Sequence, residues 1–513
     1  MRVLFAVAEL FPYVKTGGLG DVAAALPPAL AERGLDVRFL LPGYPEILSV
    51  LKRPRKLRSL YGYFSQNEAR LLCGTLPNGM RAYVLDAPHF FERAAPYCSG
   101  GRDWPDNHLR FAALSRAAAD IAFFDDKWQP DVVHGNDWHT GLMPAYLAWR
   151  GQPRPASVLT IHNLAFQGLF PRAVFPELGL PPESFSIDGL EFWGQAGFLK
   201  GGIYYADKIS TVSPTYAREI QTPKFGCGLE GLLRARARDL KGILNGIDAA
   251  VWDPATDASL DERYTLANLE GKARDKEAVL KEFGLRNTDD PLFAVVSRLT
   301  PQKGLDFVMS AVPPLLNRGL RVIIHGEGDA GIENKLRAFA AAHADSVAVR
   351  IGYNEATAHR LQAGADALIV PSRFEPCGLV QLYALRYGTL PVARRTGGLA
   401  DTVVDAGPAA RAEKGTGFLF GDASGAALSE AMARALDAYR DAAAWTRLQR
   451  NAMAQDFGWS AAAKRYVALY EDAREAFRIH IPPSLGTTIT LPPLSPHGGT
   501  HDDAKRISIG KAV

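Results

Sequence analysis

The sequence is poor in cysteine and has no long apolar run. Its four cysteines are widely separated and form no C-x-x-C pair, so neither a disulfide framework nor a structural zinc site is indicated. We therefore expect reduced thiols and a cytoplasmic location. The apolar run at residues 3–8 is short, is followed by Glu9 and lacks a small-residue cleavage site. This pattern predicts neither a signal peptide nor a membrane span.

The sequence also lacks an excess of charge of either sign. Its 58 Lys and Arg residues nearly balance 55 Asp and Glu residues, which gives a formal net charge of +3. No basic run is long enough for a nucleic-acid-binding tail, so we expect neither a nucleic acid nor a membrane as a partner. A chain of 513 residues is too long for one hydrophobic core, and two or three domains are expected.

No Asp-x-Asp motif occurs, a pattern that can hold a metal ion on a bound diphosphate. A metal-dependent site of that kind is therefore not supported, and we expect no metal and no other cofactor. Cationic side chains must then neutralise any phosphate that binds.

Residues 15–21, with the sequence KTGGLGD, have the composition of an anion site. They lie between the apolar run at 3–8, which predicts a buried parallel strand, and a helical pattern. Gly17 and Gly18 let backbone N–H groups approach a ligand, and the helix N-terminus adds partial positive charge. We therefore predict that a phosphate binds here, with Lys15 supplying a full positive charge.

Two other interpretations of this turn remain open. Gly18, Gly20 and Ala23 match the dinucleotide fingerprint G-x-G-x-x-A, which is typical of nicotinamide and flavin enzymes. That fingerprint needs an acidic residue after the next strand, but the strand predicted at 37–41 is followed by Pro-Gly-Tyr. Alternatively, the turn serves only to pack the helix against the strand.

Short apolar runs alternate with helical patterns in both halves of the chain, which is typical of parallel α/β sheets. The predicted strands are 3–8, 37–41, 131–134, 157–162 and 208–212 in the first half and 292–297, 320–325, 347–351, 367–370 and 390–393 in the second. We therefore predict an α/β protein with two doubly wound sheets and a cleft between their strand ends.

Composition shifts divide the chain further. Residues 51–106, rich in Arg, Pro and aromatic residues, are interpreted as hairpins and loops inserted at the mouth of the first sheet. The predicted organisation is a first domain at 1–244, a connector at 245–257, a second domain at 258–456, a C-terminal helix at 457–480 that packs back on the first domain, and a disordered tail at 481–513.

Polar residues gather where the predicted strands of the second half end. Arg298 and Lys303 flank one turn, and a guanidinium with an ammonium suits a diphosphate leaving group. Glu375 precedes backbone amides at a predicted helix start, a mixture that suits sugar hydroxyls. Gly397 and Gly398 precede a helix and offer further amide donors. The plainer interpretations are a surface pair for the two cations and a helix N-terminal charge for Glu375.

In the first half, Asp137 and His139 follow one predicted strand, and His162 ends another. For a single histidine, satisfied packing in the core is the plainer interpretation, and it applies to His139 and His162 alike.

Six motifs follow the order and spacing of one enzyme family. They are KTGGLGD at 15–21, NDWH at 136–139, TIHN at 160–163, SRL at 297–299 with KG at 303–304, EPCGL at 375–379 and TGGL at 396–399. Together they resemble the bacterial glycogen synthases and their starch synthase relatives, and the likeness runs from Met1 to about Tyr470. Any one of these motifs alone is unspecific, whereas the set is specific.

The resemblance implies a GT-B glycosyltransferase, with two Rossmann-like domains facing across a cleft and a C-terminal helix crossing back to the first domain. It implies glucosyl transfer from ADP-glucose to the non-reducing 4-hydroxyl of an α-1,4-glucan such as glycogen, with retention at the anomeric carbon. The alternatives are a related transferase that uses UDP-glucose or another acceptor, and a catalytically inactive glucan-binding protein on the same fold.

The resemblance also assigns roles to residues. Those implied in catalysis are Asp137, His162, Arg298, Lys303 and Glu375. Those implied in substrate binding are Lys15, Gly17, Gly18, Asp21, Asn245, Cys377, Gly378, Leu379, Thr396, Gly397 and Gly398. The cations and the first glycine pair would hold the diphosphate, whereas Glu375 with the amides of 377–379 would fix the glucose hydroxyls.

His162 and Asn245 would reach the sugar from the other side, and Asp137 would lie near the acceptor or the reacting centre. The role of Asp21 stays open. Retaining glycosidases use paired carboxylates, and we see no second carboxylate placed as a nucleophile. We therefore expect a same-face displacement in which the departing phosphate accepts the proton of the acceptor.

Overall fold

The structure is a computed structural model that divides into two compact units. It describes residues 1–124, 127–151, 153–408 and 413–479. Unit 1 contains Met1–Leu244 and the segment that begins at Trp459, whereas unit 2 contains Asn245–Gly458. The tail predicted at 481–513 lies outside the described residues. Within the described ranges, no helix is both long and apolar enough to cross a membrane.

Unit 1 is built on a nine-stranded sheet. The strands of unit 1 are β1 (Arg2–Ala6), β2 (Asp36–Pro42), β3 (Lys52–Leu60), β4 (Ala69–Thr75), β5 (Arg81–Asp86), β6 (Cys98–Ser99), β7 (Arg102–Asp103), β8 (Val132–Asn136), β9 (Ala156–Ile161), β10 (Leu169–Pro171), β11 (Glu191–Phe192), β12 (Gln195–Gly197), β13 (Lys208–Thr211) and β14 (Leu240–Gly242). The main sheet has the order β14-β13-β9-β8-β1-β2-β5-β4-β3, and β10-β12-β11 form a small separate sheet.

The central strands of this sheet are parallel and buried on both faces. Val3, Leu4 and Phe5 of β1 are inaccessible to solvent, and β1 pairs in parallel with β2 and β8. Continuous apolar runs of this kind suit a sheet covered by helices on both sides. The strands predicted at 3–8, 37–41, 131–134, 157–162 and 208–212 are confirmed within a few residues.

Residues 51–106, interpreted above as hairpins and loops inserted at the mouth of the sheet, do contain hairpins, since β3 pairs antiparallel with β4 and β6 with β7. Their placement at the mouth of the sheet is wrong. β3, β4 and β5 extend the main sheet at one edge, and β5 pairs in parallel with β2. The physical reason is the buried run in β5, which continues the core, while β3 presents mostly exposed Lys and Arg side chains at the edge. A charged edge strand resists pairing with another chain.

Helices cover this sheet. In unit 1 they are α1 (Gly18–Ala31), α2 (Pro45–Val50), α3 (Pro88–Phe91), α4 (Asn107–Phe124), α5 (Met143–Arg150), α6 (Phe198–Tyr205), α7 (Pro214–Glu219) and α8 (Glu230–Ala235). Short 3-10 helices lie at Trp138–Thr140, Arg172–Leu178 and Pro182–Ser184.

Unit 2 has a six-stranded parallel sheet with the order β17-β16-β15-β18-β19-β20. Its strands are β15 (Leu292–Val296), β16 (Arg321–Gly326), β17 (Val347–Ile351), β18 (Ala367–Val370), β19 (Leu390–Arg394) and β20 (Phe418–Phe420). The five strands predicted in the second half are confirmed. β20 was not predicted, because three residues are too few for a recognisable strand pattern.

The helices of unit 2 lie on both faces of its sheet. They are α9 (Glu270–Glu282), α10 (Leu305–Ala311), α11 (Ala330–Ala342), α12 (Glu355–Gly364), α13 (Val380–Arg386), α14 (Gly397–Thr402), α15 (Gly425–Tyr439) and α16 (Ala442–Met453), with 3-10 helices at Pro301–Lys303 and Pro313–Arg318. Two clusters of buried apolar side chains flank the sheet, as expected for a doubly wound fold.

Two segments near the unit boundaries have defined packing. Residues 245–257, interpreted above as a connector, belong to unit 2, where the Trp252 ring stacks 3.8 Å from the His359 ring and 3.7 Å from the Tyr383 ring. The last helix, α17 (Trp459–Ile479), packs on unit 1, and the Tyr470 hydroxyl lies 2.8 Å from Nδ1 of His134.

Candidate active site

The glycine-rich segment of unit 1 leads directly into α1. This helix begins at Gly18, and Gly17 before it has an extended backbone. Lys15 Nζ lies 2.9 Å from Asp21 Oδ1, one turn into the helix. About a quarter of each side chain is exposed, so this ion pair is accessible from solvent. The segment therefore combines a cation with the first amides of a 14-residue helix.

The carboxylate of Glu9, a residue not assigned a role above, fixes this segment through hydrogen bonds. Glu9 is 3% exposed, and its Oε2 accepts a hydrogen bond from the Thr16 N–H at 2.8 Å and a longer one from the Gly17 N–H at 3.4 Å. Its Oε1 accepts from the hydroxyls of Thr16 and Tyr97 at 2.5 and 2.7 Å. The Gly17 amide is thus engaged inside the protein, whereas those of Gly18 and Leu19 begin the helix.

Asp137 occupies a strained turn at the end of β8. Its φ of 57° is unusual for a residue other than glycine. Its Oδ1 accepts hydrogen bonds from the backbone N–H groups of His162 and Asn163 at 2.7 and 3.3 Å. The pKa of Asp137 is raised to about 7, mainly because the carboxyl group is buried; the two amide hydrogen bonds oppose this rise, and the nearby Glu9 carboxylate adds a smaller upward contribution. This carboxyl group is therefore poised to change charge near neutral pH.

His162 is a neutral imidazole next to Asp137. Its Nε2 lies 3.0 Å from Oδ1 of Asn136. Because the Asn136 amide nitrogen donates to the carbonyl of Ala6, its Oδ1 acts as the acceptor and Nε2 of His162 carries the proton. Burial lowers the pKa of His162 to about 3. The ring therefore donates at Nε2 to Asn136 and can accept a hydrogen bond at Nδ1, but it does not supply positive charge at pH 7.

His139 and His134 fit the packing interpretation. His139 is 5% exposed and stacks on Tyr97 with ring centroids 4.5 Å apart. His134 lies within 2.6 Å of the Thr160 hydroxyl and 2.8 Å of the Tyr470 hydroxyl. Burial lowers the pKa of each to about 3, so both rings are neutral core residues.

In unit 2, Lys303 and Glu375 form a tight ion pair. Lys303 Nζ donates to Glu375 Oε2 at 2.6 Å, and the Ser372 hydroxyl donates to the same oxygen at 2.8 Å. Both side chains are largely buried. Both hydrogen bonds end on Oε2, so among the described residues Oε1 has no protein partner. The pair thus presents one occupied and one open carboxylate oxygen.

Two hydrogen bonds between loops, one from the backbone and one from the side chain of Gln302, bring this pair together across 72 residues of sequence. The Arg373 N–H donates to the carbonyl of Gln302 at 2.8 Å, and the Gln302 amide nitrogen donates to the carbonyl of Phe374 at 3.1 Å. Gly304 allows the approach, because a Cβ there would lie 2.4 Å from the carbonyl oxygen of Pro371. The turn therefore depends on glycine at this position.

Arg298 is exposed at the end of β15, and within the described ranges its guanidinium makes no ion pair or hydrogen bond. Its neighbour Leu299 forms a backbone bridge with Gly328. A Cβ on Gly326 would lie 1.8 Å from the carbonyl oxygen of Ser297. Residues 326–329 were given no role above. Their Gly-x-Gly pattern at the end of a strand could have indicated that they belong to this site.

The second glycine pair packs against the Glu375 loop. A Cβ on Gly397 would lie 1.8 Å from the carbonyl oxygen of Glu375, and one on Gly398 would lie 2.0 Å from that of Cys377. The Gly398 N–H donates to the Glu375 carbonyl at 3.1 Å. This amide is therefore not free for a phosphate, so the expected second set of amide donors does not include that of Gly398. Thr396, fully buried, precedes α14 as its N-cap residue.

The segment after Glu375 is fixed by a buried glutamine. Gln381 Nε2 donates to the carbonyls of Cys377 and Gly378 at 3.0 and 2.8 Å, and Gly378 has a φ of 70°. Leu379 then precedes α13. Burial raises the pKa of the Cys377 thiol to about 12, although the N–H of Asn245 donates to it. This cysteine is therefore a neutral structural thiol.

Asn245 is the first residue of unit 2 and is 5% exposed. Its Oδ1 is buried and has no hydrogen-bond partner among the described residues. An unpartnered buried oxygen of this kind costs free energy unless a ligand or water supplies a donor.

The predicted residues fall into two groups. Lys15, Gly17, Gly18, Asp21, Asp137 and His162 lie in unit 1, and Asn245, Arg298, Lys303, Glu375, Cys377, Gly378, Leu379, Thr396, Gly397 and Gly398 lie in unit 2. In the part of the chain that the structure describes, no group of three or more His, Cys, Asp or Glu side chains is arranged to hold a metal ion.

Two family models match the chain. Residues 2–235 match the starch synthase catalytic domain, and residues 277–452 match glycosyl transferases group 1. A solved structure with the same fold is the catalytic domain of starch synthase IV from Arabidopsis thaliana bound to ADP and acarbose. It is 31% identical, has a TM-score of 0.82, and the match covers 92% of this chain and 99% of that chain.

Curated relatives match over nearly the full length. A glycogen synthase of Paramagnetospirillum magneticum is 52% identical over 480 residues, which cover 92% of this chain and 97% of that protein. A glycogen synthase of Leptothrix cholodnii is 51% identical over 484 residues, which cover 92% and 99%. The resemblance stated from the six motifs is thereby confirmed, and so is the GT-B fold. This chain belongs to the glycogen synthase family of glycosyltransferases.

Proposed function

We propose that this enzyme transfers glucose from ADP-glucose to the non-reducing 4-hydroxyl of an α-1,4-glucan, with retention at the anomeric carbon. Membership of the family supports glycosyl transfer in glycogen synthesis. The starch synthase bound to ADP and acarbose supports a nucleotide of adenine and an oligosaccharide as ligands. The observation that carries the proposal is the Lys303–Glu375 pair in the same unit as the exposed Arg298.

Arg298 and Lys303 neutralise the diphosphate as it departs. Cleavage of a glycosyl–phosphate bond builds negative charge on the phosphate and positive charge on the sugar. Preorganised donors at such a site are worth about 2.7–4 kcal/mol each by analogy with oxyanion holes. Since ADP is a good leaving group, these cations replace a strong general acid. We also propose that the reaction needs neither a metal ion nor another cofactor.

Glu375 positions the glucose. Its Oε2 is occupied by Lys303 and Ser372, which leaves Oε1 to accept a sugar hydroxyl. The segment of Cys377 and Gly378 beside it is held rigid by Gln381. We assign Oδ1 of Asn245 to another hydroxyl, because a hydroxyl would supply the donor that this buried oxygen lacks.

Tyr353 is the group that we assign to the nucleobase. It follows β17 at the end of the strand and is 52% exposed. Its ring lies nearly parallel to that of His325, with an interplanar angle of 13°. An exposed ring held in a fixed plane suits stacking with an adenine.

In unit 1, Lys15 and the first amides of α1 are assigned to a phosphate, with Asp21 keeping Lys15 in place. Asp137 is assigned to the acceptor or the reacting centre, and His162 to the transferred glucose. Their Oδ2 and Nδ1 atoms stay available, because the amides and Asn136 engage the other atom of each group. No nucleophile is required, since the departing phosphate accepts the proton of the attacking hydroxyl on the same face.

The test is incubation with glycogen and either ADP-glucose or UDP-glucose, with release of the nucleoside diphosphate as the measurement. We expect ADP release that depends on glycogen and a much slower reaction with UDP-glucose. Faster turnover with UDP-glucose than with ADP-glucose would show that UDP-glucose is the donor. Glucan binding with no turnover of either donor would favour the inactive glucan-binding protein.

A further inference from the structure

One cavity of unit 1 is not used by any step of the proposed reaction. Its volume of about 360 Å³ is within the range of sites for small molecules. Asp131 lies directly before β8 and Ala156 begins β9, so the cavity lies at the amino ends of these strands. Asp137 and His162 follow the opposite, carboxyl ends, and the five residues of β8 span about 17 Å. The cavity is therefore separate from the residues of unit 1 that are assigned to the reaction.

Three arginines from three different elements line this cavity. Arg2 begins β1, Arg154 precedes β9, and Arg474 lies in α17. Of the described residues that line the cavity, Asp131 alone is acidic. Guanidinium groups that converge on a cavity favour an anionic ligand.

The three arginines differ in their partners. Arg154 is held by a bidentate ion pair, in which Nη1 and Nη2 each donate to Asp207 at 2.8 Å. The Arg2 N–H donates to Asp131 Oδ2 at 2.7 Å, while the Arg2 side chain is 46% exposed and its Nε lies 3.9 Å from the same oxygen. Arg474 is half-buried, and no described residue forms a hydrogen bond or ion pair with its guanidinium. The uncompensated positive charge of the cavity is therefore that of Arg474.

The remaining walls are mostly apolar. The ring of Phe477, about one turn after Arg474 on α17, lies with its centroid 4.7 Å from the guanidinium carbon of Arg154. The other apolar walls are Ala122, Phe123, Pro130, Pro153, Pro155 and Ala156. Phenyl and pyrrolidine rings are stiff, so they form a wall against which a flat ring can pack.

The cavity also joins the last helix to the sheet of unit 1. α17 begins at Trp459, where the chain returns from unit 2 to unit 1. Tyr470, about one turn before Arg474, already links α17 to β8 through its contact with His134. A ligand that contacts Arg474 and the strand ends adds a second link between the same elements.

We infer that this cavity binds an organic phosphate monoester with a flat ring, and that the ligand fastens α17 to the amino ends of β8 and β9. A phosphate offers three acceptor oxygens, so it can accept from the guanidinium groups of Arg474 and Arg2 at once. The ring of the ligand packs between the phenylalanine and proline walls. Binding here needs neither the donor nor the glucan, so the inference is independent of the proposed function.

The first experiment is titration calorimetry of the full chain with three probes. Phenyl phosphate carries both groups, inorganic phosphate lacks the ring, and benzoate replaces the phosphate by a carboxylate. We expect phenyl phosphate to bind at least about tenfold more tightly than either of the others. Absence of phenyl phosphate binding would overturn the inference, and equal affinity for benzoate or for inorganic phosphate would overturn the ligand class.

Variants of α17 identify the cavity as the site. Arg474→Ala should weaken phenyl phosphate binding about tenfold, and Arg474→Lys should restore part of it. The matched control is Arg465→Ala, because Arg465 is an exposed arginine of the same helix outside the cavity. Equal affinity in Arg474→Ala and Arg465→Ala would overturn the inference. So would loss of binding in Lys303→Ala alone, which would place the probe at the site assigned to the donor.

Thermal unfolding tests the link to α17. Phenyl phosphate should raise the unfolding temperature of the unchanged enzyme and of Arg465→Ala, but not that of Arg474→Ala. Without ligand the two variants should unfold at the same temperature, because neither arginine has an ion-pair partner among the described residues. A ligand-induced rise of equal size in both variants would show that the probe does not act through this cavity.

Discussion

The two glycine pairs of this enzyme look alike in sequence but have different structural surroundings. Gly17 and Gly397 each stand first in a Gly-Gly pair at the start of a helix. A Cβ on Gly17 would meet nothing within 4 Å, whereas a Cβ on Gly397 would lie 1.8 Å from the carbonyl oxygen of Glu375. Gly17 borders open space, whereas the second pair lets two backbone segments touch. A glycine pair before a helix is therefore not by itself an anion site.

The two units also differ in which groups are available to bind a phosphate. In unit 2, the amide of Gly398 is used internally, and the proposed mechanism therefore leaves the cations Arg298 and Lys303 to neutralise the phosphate. In unit 1, the Glu9 carboxylate takes the amides of Thr16 and Gly17, and Lys15 with the next amides of α1 stays available.

The largest expected effect tests the cations of unit 2. Lys303→Ala should lower kcat about 10²–10³-fold, as for the loss of an oxyanion donor, because the Gly398 amide is engaged internally and cannot replace the ammonium. Glucan affinity measured without donor should not change. Lys335→Ala, on the exposed face of α11, is the control for loss of a positive charge. Equal turnover of the two variants would show that Lys303 does not neutralise the leaving group.

The second prediction compares the glycines directly. Gly398→Ala places a Cβ 2.0 Å from the carbonyl oxygen of Cys377 and should destabilise the protein by about 3 kcal/mol. Gly17→Ala should unfold at nearly the temperature of the unchanged enzyme, because its backbone is extended and its surroundings are open. Thermal unfolding of both variants measures this. If Gly17→Ala were as unstable as Gly398→Ala, the claim that only the second glycine pair is needed for packing would be wrong.

The third prediction contrasts the carboxylates of the two units. Glu375 has a cation beside it, whereas burial raises the pKa of Asp137 to about 7. Between the pKa of the unfolded chain and about 7, the folded protein binds more protons at Asp137 than the unfolded one does, so its contribution to stability falls as pH rises. Asp137→Asn removes this dependence.

From pH 5 to pH 7, the free energy of unfolding should therefore fall about 2–3 kcal/mol less in Asp137→Asn than in the unchanged enzyme. Denaturant titrations at several pH values measure it. Parallel curves for the two proteins would mean that Asp137 titrates at its ordinary pKa.

The smallest expected effect is that of metal removal. If side-chain cations do all the neutralising in both units, a chelator should leave the rate of transfer unchanged. The measurement is turnover before and after dialysis against a chelator, with and without added Mg²⁺. Loss of activity that Mg²⁺ restores would assign part of the neutralisation to an ion.

The sequence predicted the strands of both sheets because buried parallel strands are continuous apolar runs, as in β1 and β15. It predicted hairpins at residues 51–106 but misplaced them, because the edge strands β3 to β5 mix charged and apolar residues and do not read as part of the main sheet. The pairing of β5 with β2 depends on the whole sheet and is not visible in the local pattern. The six motifs predicted the family because each combines a strand end with a polar turn.

The sequence could not predict which groups of the site engage one another. Lys303 and Glu375 are 72 residues apart, and Glu9 and Tyr97 are 88 apart, so their contacts depend on how separate loops pack. Glu9 gave one signal, an acid directly after an apolar strand, and we used it only to argue against a signal peptide.

The sequence by itself determined the α/β class, the approximate strands and the family, because apolar periodicity and local motifs are properties of short segments. The tertiary structure alone decided that Glu9 engages the first glycine loop and that the second glycine pair packs against the loop of Glu375. These facts arise from contacts between segments far apart in the chain, and only the folded backbone sets the distances on which hydrogen bonds and ion pairs depend.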